Sequence, residues 1–132
     1  MESIAHWIHK RRAITPERTA IISQEMKYTY KELSRKIDDF AGVFHHKYGL
    51  KKGDRVAILS FNRTEYFIAY FAIAQLGLIA VPLNVRLRPE ELLFQLQDSG
   101  AKMLLYEQAT EGIVAELNNL YQFESVYSFD EE

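Results

Sequence analysis

Two arginines stand where an anion could be held. In AVPLNVRLRPEEL, residues 80–92, an apolar run meets a proline. Asn84, Arg86 and Arg88 follow, and Pro89-Glu90-Glu91 then opens an amphipathic pattern. This places both guanidinium groups after the carboxyl end of a strand and before a helix N-terminus, where open parallel sheets hold ligands. The planar fork of a guanidinium matches two oxygens of a phosphate. From the residues alone, a solvated loop or pairing with Glu90 and Glu91 is the preferred reading, because exposed Arg–Glu pairs are common and nearly neutral in energy.

Other polar groups offer less. His6 and His9 lie three apart on a predicted helix, but no third ligand stands at metal spacing, so they read as surface histidines. His45 and His46 are adjacent near a helix end, where they favour the negative pole of the dipole. Asp38-Asp39 reads as a solvated face. No dinucleotide fingerprint, phosphate-binding P-loop or nucleophile elbow occurs. GLKKGD precedes a strand and reads as a turn. No catalytic residue and no metal ligand is assigned.

The elements that must position Arg86 follow from periodicity. Ser3 to Ala13 reads as a helix with Ile4, Trp7 and Ile8 on one side, stopped by Pro16. Thr19–Ser23 and Met26–Thr29 read as a hairpin around Gln24-Glu25. Thr29 and Glu32 have capping-box spacing. Leu33, Ile37, Phe40, Ala41 and Phe44 then form one apolar face, and Gly49 ends that helix. RVAIL, Arg55 to Leu59, is a strand. Asn62 and Glu65 again have capping spacing ahead of YFIAYFAIA, which reads as buried on nearly every side, with Gly77 as its end. Leu78–Pro82 is a strand, Pro89 suits the first helical position, and Gly100 ends the next helix. Ala101–Tyr106 is a strand. Thr110 caps a helix carrying Ile113, Val114, Leu117 and Leu120, and Ser125–Phe129 is the last strand. This alternation predicts an α/β fold: a parallel sheet with helices on both faces.

Composition sets limits. The chain has 132 residues, 48% apolar and 26% charged, with a net charge of −2. That suits one ordered domain rather than a disordered segment. No basic face points to nucleic acid. There is no cysteine, which excludes thiolate catalysis and disulfides. Tyr66 to Val85 is twenty residues without a charge, the length of a membrane span. Gly77 and Pro82 divide it, so a helix plus a strand is the better reading. No secretory signal opens the chain, and a cytoplasmic setting is expected.

KYTYKELSRKIDDFAGVF followed by GLKKGDRVAILSFNRTEYFIAYFAIAQLGLIAVPLNVRLRPEELLFQLQDSGAKMLLYE resembles the N-terminal part of the adenylate-forming, AMP-binding enzymes. The AVPLN-x-RL-x-PEEL junction is most similar to acyl-CoA synthetases. The resemblance implies an enzyme that activates a carboxylate with ATP and magnesium, releases pyrophosphate and forms a thioester with CoA. The family's Ser/Thr/Gly-rich lysine loop, adenine-side segment, ribose-binding aspartate and catalytic lysine have no match in this sequence. It follows that residues 1–132 would be the N-terminal segment of the large AMP-binding domain, without the C-terminal domain, inactive and cofactor-free alone. Its partners would be the rest of its own enzyme and a carboxylic acid, and the segment would self-associate. Arg86 matches the family's arginine that contacts the 3′-phosphate of CoA; Arg88 has no such match. A standalone, non-catalytic α/β binding or interaction module is the alternative.

Overall fold

The computed structural model describes residues 4–15, 17, 19–21 and 27–130. The chain divides into two compact units, Met1–Gly53 with Asn62–Leu78, and Asp54–Phe61 with Ile79–Glu132.

The first unit is mainly helical. It holds α1 (Ile4–Ile14), β1 (Thr19–Ile21), β2 (Lys27–Thr29), α2 (Tyr30–Gly42) and α3 (Thr64–Gln75). β1 and β2 pair antiparallel, Thr19 opposite Thr29, as the hairpin expectation required. Its turn at Gln24-Glu25 and the Pro16 stop lie outside the described residues. The Thr29–Glu32 capping box is formed: the Glu32 N–H donates to the Thr29 hydroxyl at 3.1 Å and the Thr29 N–H donates to Glu32 Oε1 at 3.0 Å. Leu33, Ile37, Ala41 and Phe44 are buried along one face. Past Gly42 the helix widens into a π turn, Val43–Lys47, which periodicity does not reveal. Gly49 then leaves it at φ +64°.

Three expectations in this unit need correction. Ile8 is buried, but Trp7 is 54% exposed, with its ring edge on Tyr30 at 6.1 Å; the buried stripe of α1 is narrower than its apolar spacing. The side chain of Ile4 lies outside the described set. Asn62 does not cap α3. The cap position is Arg63, without a side-chain cap bond, and its Nε lies 2.6 Å from Glu65 Oε2. Nor is α3 buried all round: Ile68, Ala69, Ala72 and Ile73 are covered while Phe67 and Tyr70 remain about two-fifths exposed. Among the described residues no helix is long and apolar enough to cross a membrane.

The second unit carries the sheet. β3 (Arg55–Leu59), β4 (Ile79–Pro82), β5 (Met103–Tyr106) and β6 (Ser125–Ser128) run parallel in the order β4-β3-β5-β6. Ala57, Leu59 and Leu104 point to one face, packed with Leu92 and Leu96 of α4 (Pro89–Ser99) and Val114 and Leu117 of α5 (Glu111–Leu117). The alternate residues Val56, Ile58, Met103 and Leu105 are equally buried. Burial on both faces explains why RVAIL and MLLY are apolar at nearly every position instead of alternating. Pro89 occupies the start of α4 and Gly100 closes it at φ +67°, both as expected. Leu120 is half exposed, outside the α5 face where its spacing placed it, because α5 stops at Leu117.

Candidate functional site at the carboxyl edge of the sheet

β4 delivers the chain to this edge. The Leu83 N–H donates to the Ile58 carbonyl at 2.8 Å, the last tie to β3. The chain then turns: the Leu87 N–H donates to the Asn84 carbonyl at 3.1 Å, and the Arg86 N–H donates to Asn84 Oδ1 at 2.9 Å. Asparagine makes this side-chain-to-backbone turn readily. Val85 and Leu87 pack against the core, while Asn84, Arg86 and Arg88, which alternate with them, are exposed. The Arg88 N–H donates to Glu91 Oε1 at 3.3 Å, so the opening of α4 uses Glu91 on the backbone, not on a guanidinium. No hydrogen bond or ion pair engages the Arg86 or Arg88 side chain among the described residues. Of the two readings offered for these arginines, the pairing with Glu90 and Glu91 is absent and the solvated loop is present: among the described residues, two unengaged cations stand exposed at the edge.

The centre of the edge is a polar cluster that sequence reasoning did not single out. Glu107 is only 9% exposed. Its Oε2 accepts from the Ser60 hydroxyl at 2.7 Å and from the Phe61 N–H at 2.6 Å. The Thr110 hydroxyl donates to the Leu59 carbonyl at 2.9 Å and accepts from the Glu107 N–H at 3.3 Å. Thr110 thus holds the N-cap position of α5, as expected, but makes no side-chain cap bond there; its hydroxyl ties β3 to the segment after β5 instead. A signal existed: Ser60 and Glu107 each follow an apolar strand, and those strands pair Leu59 with Tyr106. Only the register makes them neighbours.

Beyond β6, Asp130 Oδ2 accepts from the Gln108 N–H at 2.7 Å. Tyr106, Gln108, Glu111, Ser128 and Asp130 line an open cleft of about 280 Å³, just below the roughly 300–1,000 Å³ typical of small-molecule sites. A second cleft, of about 540 Å³, lies along α2. Three basic and three acidic side chains line it (Lys31, Arg35 and Lys36 against Glu17, Glu32 and Asp39), so it favours neither sign of ligand.

Of the histidines, His6 is exposed and His45 and His46 stand near a helix end, as expected, whereas His9 is placed differently. His9 is not a free surface group. Nδ1 lies 2.5 Å from the Ser34 hydroxyl, Nε2 lies 2.5 Å from Gln75 Oε1, and Asp38 is 3.5 Å away. His9 thus ties α1 to α2 and α3, and Asp38 joins it by accepting from Gln75 Nε2 at 3.1 Å. His45 and His46 lie in the π turn, ring to ring at 4.9 Å. Among the described residues no group of three or more His, Asp or Glu could hold a metal ion. The groups whose pKa is raised are tyrosines, made weaker acids by their surroundings: burial raises the pKa of Tyr66 and Tyr121, and burial with the charges of Glu65 and Glu32 raises that of Tyr28.

Comparison with known proteins fits this geometry. Residues 8–130 match the family described as AMP-binding enzyme. A 2-succinylbenzoate–CoA ligase of Bacillus velezensis is 44% identical over 102 residues, covering 77% of this chain and 21% of that protein. The ligase of the same name from Bacillus cereus strain Q1 is 38% identical, covering 84% and 23%. The chain thus spans less than a quarter of the length of these relatives. Among solved structures, the N-terminal domain of FACL13 from Mycobacterium tuberculosis superposes with a TM-score of 0.90 at 28% identity, covering 98% of this chain and 34% of that one. The O-succinylbenzoate coenzyme A synthetase of Bacillus subtilis, solved with ATP and magnesium ion, gives 0.78 at 33% identity, covering 92% and 32%. A continuous match from Ile8 to Asp130, through the strand-turn-helix that presents Arg86, leaves one conclusion: the chain belongs to the AMP-binding enzyme family.

Proposed function

We propose that residues 1–132 are the N-terminal segment of the large AMP-binding domain of an ATP-dependent acyl-CoA ligase, and that its acid is 2-succinylbenzoate. The unbroken family match over residues 8–130, with relatives of that one name at 36–44% identity, carries the reading. The reaction joins a carboxylate to AMP with release of pyrophosphate, then passes the acyl group to the thiol of CoA. Adenylation is needed because a carboxylate is a poor electrophile, and AMP provides the leaving group.

Arg86 takes the 3′-phosphate of CoA in this reading. Its guanidinium is exposed and, among the described residues, unengaged, on a turn braced by Val85 and Leu87, so it meets an anion without first breaking an ion pair with any of them. CoA supplies the acceptor thiol; Arg86 supplies a charge-assisted anchor remote from it. The nucleotide and the magnesium ion are held by parts of the enzyme outside this segment. ATP and CoA are co-substrates of the cytoplasm, which supports a cytoplasmic location.

The test is the endogenous protein. Its intact mass should exceed that of 132 residues several-fold, and it should release pyrophosphate from magnesium-ATP when 2-succinylbenzoate is added. Preference for another aryl or fatty acid would remove the substrate and keep the ligase. A mass equal to this chain would overturn the ligase and leave a non-catalytic α/β binding module.

A further inference from the structure

We propose that Asn84 is the positioning residue for the anion contact of Arg86, an inference that rests on the CoA reading of that arginine. Asn84 Oδ1 accepts from the Arg86 N–H at 2.9 Å, and the Asn84 carbonyl accepts from the Leu87 N–H at 3.1 Å. Arg86 is therefore held by its own backbone, between two side chains anchored in the core, Val85 and Leu87. Asn84 and Arg86 are both exposed. Water could satisfy the Arg86 N–H at little cost, so the bond matters less to the fold than to the local geometry. Its consequence is the direction in which residue 86 leaves the turn. A fixed turn spares the ligand the cost of ordering this loop on binding. Arg88 shares the loop and the charge, but its N–H is held by Glu91, so Asn84 acts on Arg86 alone.

The experiment compares KM for CoA with KM for 3′-dephospho-CoA in the full-length ligase. Their ratio isolates the 3′-phosphate from every other contact. Arg86→Ala should lower the discrimination by about tenfold, the loss of one charge-assisted contact. Asn84→Ala should lower it by about threefold, and Asn84→Ser, whose hydroxyl makes the same turn more weakly, should fall between Asn84→Ala and the wild type. If Arg86→Ala leaves the ratio unchanged, the CoA reading of Arg86 fails and the role of Asn84 with it. A ratio that responds to Arg86→Ala but not to Asn84→Ala overturns the positioning role alone. An equal rise in both KM values for Asn84→Ala, or no recovery with serine, also overturns it, because general damage to the loop would not single out the phosphate.

Discussion

Glu107 is the residue whose removal the carboxyl edge should feel most. Its carboxylate accepts from the Ser60 hydroxyl and the Phe61 N–H in a buried setting. Glu107→Ala leaves both donors without that acceptor and should cost about 2–4 kcal/mol, read as a lower urea midpoint. Glu107→Gln keeps the size and one acceptor, and should cost less. Glu32 gives a prediction in pH. Hydrogen bonds from the Thr29 backbone and then its side chain hold Glu32 below the usual carboxylate range. A carboxyl group with a depressed folded-state pKa stabilises the fold above its unfolded value, near about pH 4.3, and loses that contribution as pH falls through the lower folded value. Thermal unfolding of the wild type should therefore fall more steeply below about pH 4.3 than that of Glu32→Gln. Equal slopes would show that the capping box carries no linkage.

Among the elements, the glycines that end or interrupt helices separate backbone effects from packing. A methyl group at Gly42 or at Gly100 meets nothing within 4 Å, so neither substitution is decided by a clash. Gly100 ends α4 at φ +67°, where an L side chain is strained, and Gly100→Ala should destabilise by about 1 kcal/mol. Gly42 has helical dihedrals, φ −61° and ψ −43°, and Gly42→Ala should stabilise by about 0.5–1 kcal/mol. Opposite shifts in melting temperature would confirm the assignment of both dihedrals. The docking of α1 depends on polar as well as apolar contacts. His9→Ala removes the ties to Ser34 and Gln75, and amide exchange along α1 should accelerate ahead of exchange along α2.

At the scale of the whole molecule, β4 and β6 each have one neighbour in the four-stranded sheet among the described residues, and a parallel edge left open is a template for pairing. Phe94 and Ile79 add exposed apolar surface. The isolated 132-residue chain should therefore sediment as dimers or larger species; a sharp monomer would count against an uncovered edge. Magnesium-ATP should leave its melting temperature unchanged, because the proposed nucleotide-binding parts lie outside it. A clear rise would place the nucleotide in this segment.

Much of this was legible in the sequence. The Thr29–Glu32 box, the RVAIL strand, the Pro89 start and the Gly49, Gly77 and Gly100 ends each depend on contacts within a few residues, so local spacing determines them. The NVRL junction was legible as a strand-turn-helix for the same reason. What the sequence left open was set by contacts between elements. Periodicity finds an apolar face but not how far it is covered, so Trp7, Phe67 and Tyr70 were expected to be more buried than they are. A cap is decided by the path of the entering chain, so Asn62 fits the spacing while Arg63 holds the cap position, and Thr110 holds its cap position with its hydroxyl bonded to the Leu59 carbonyl instead. Glu107 and Ser60, forty-seven positions apart, meet only because β3 and β5 pair in one register, and no local pattern carries that information.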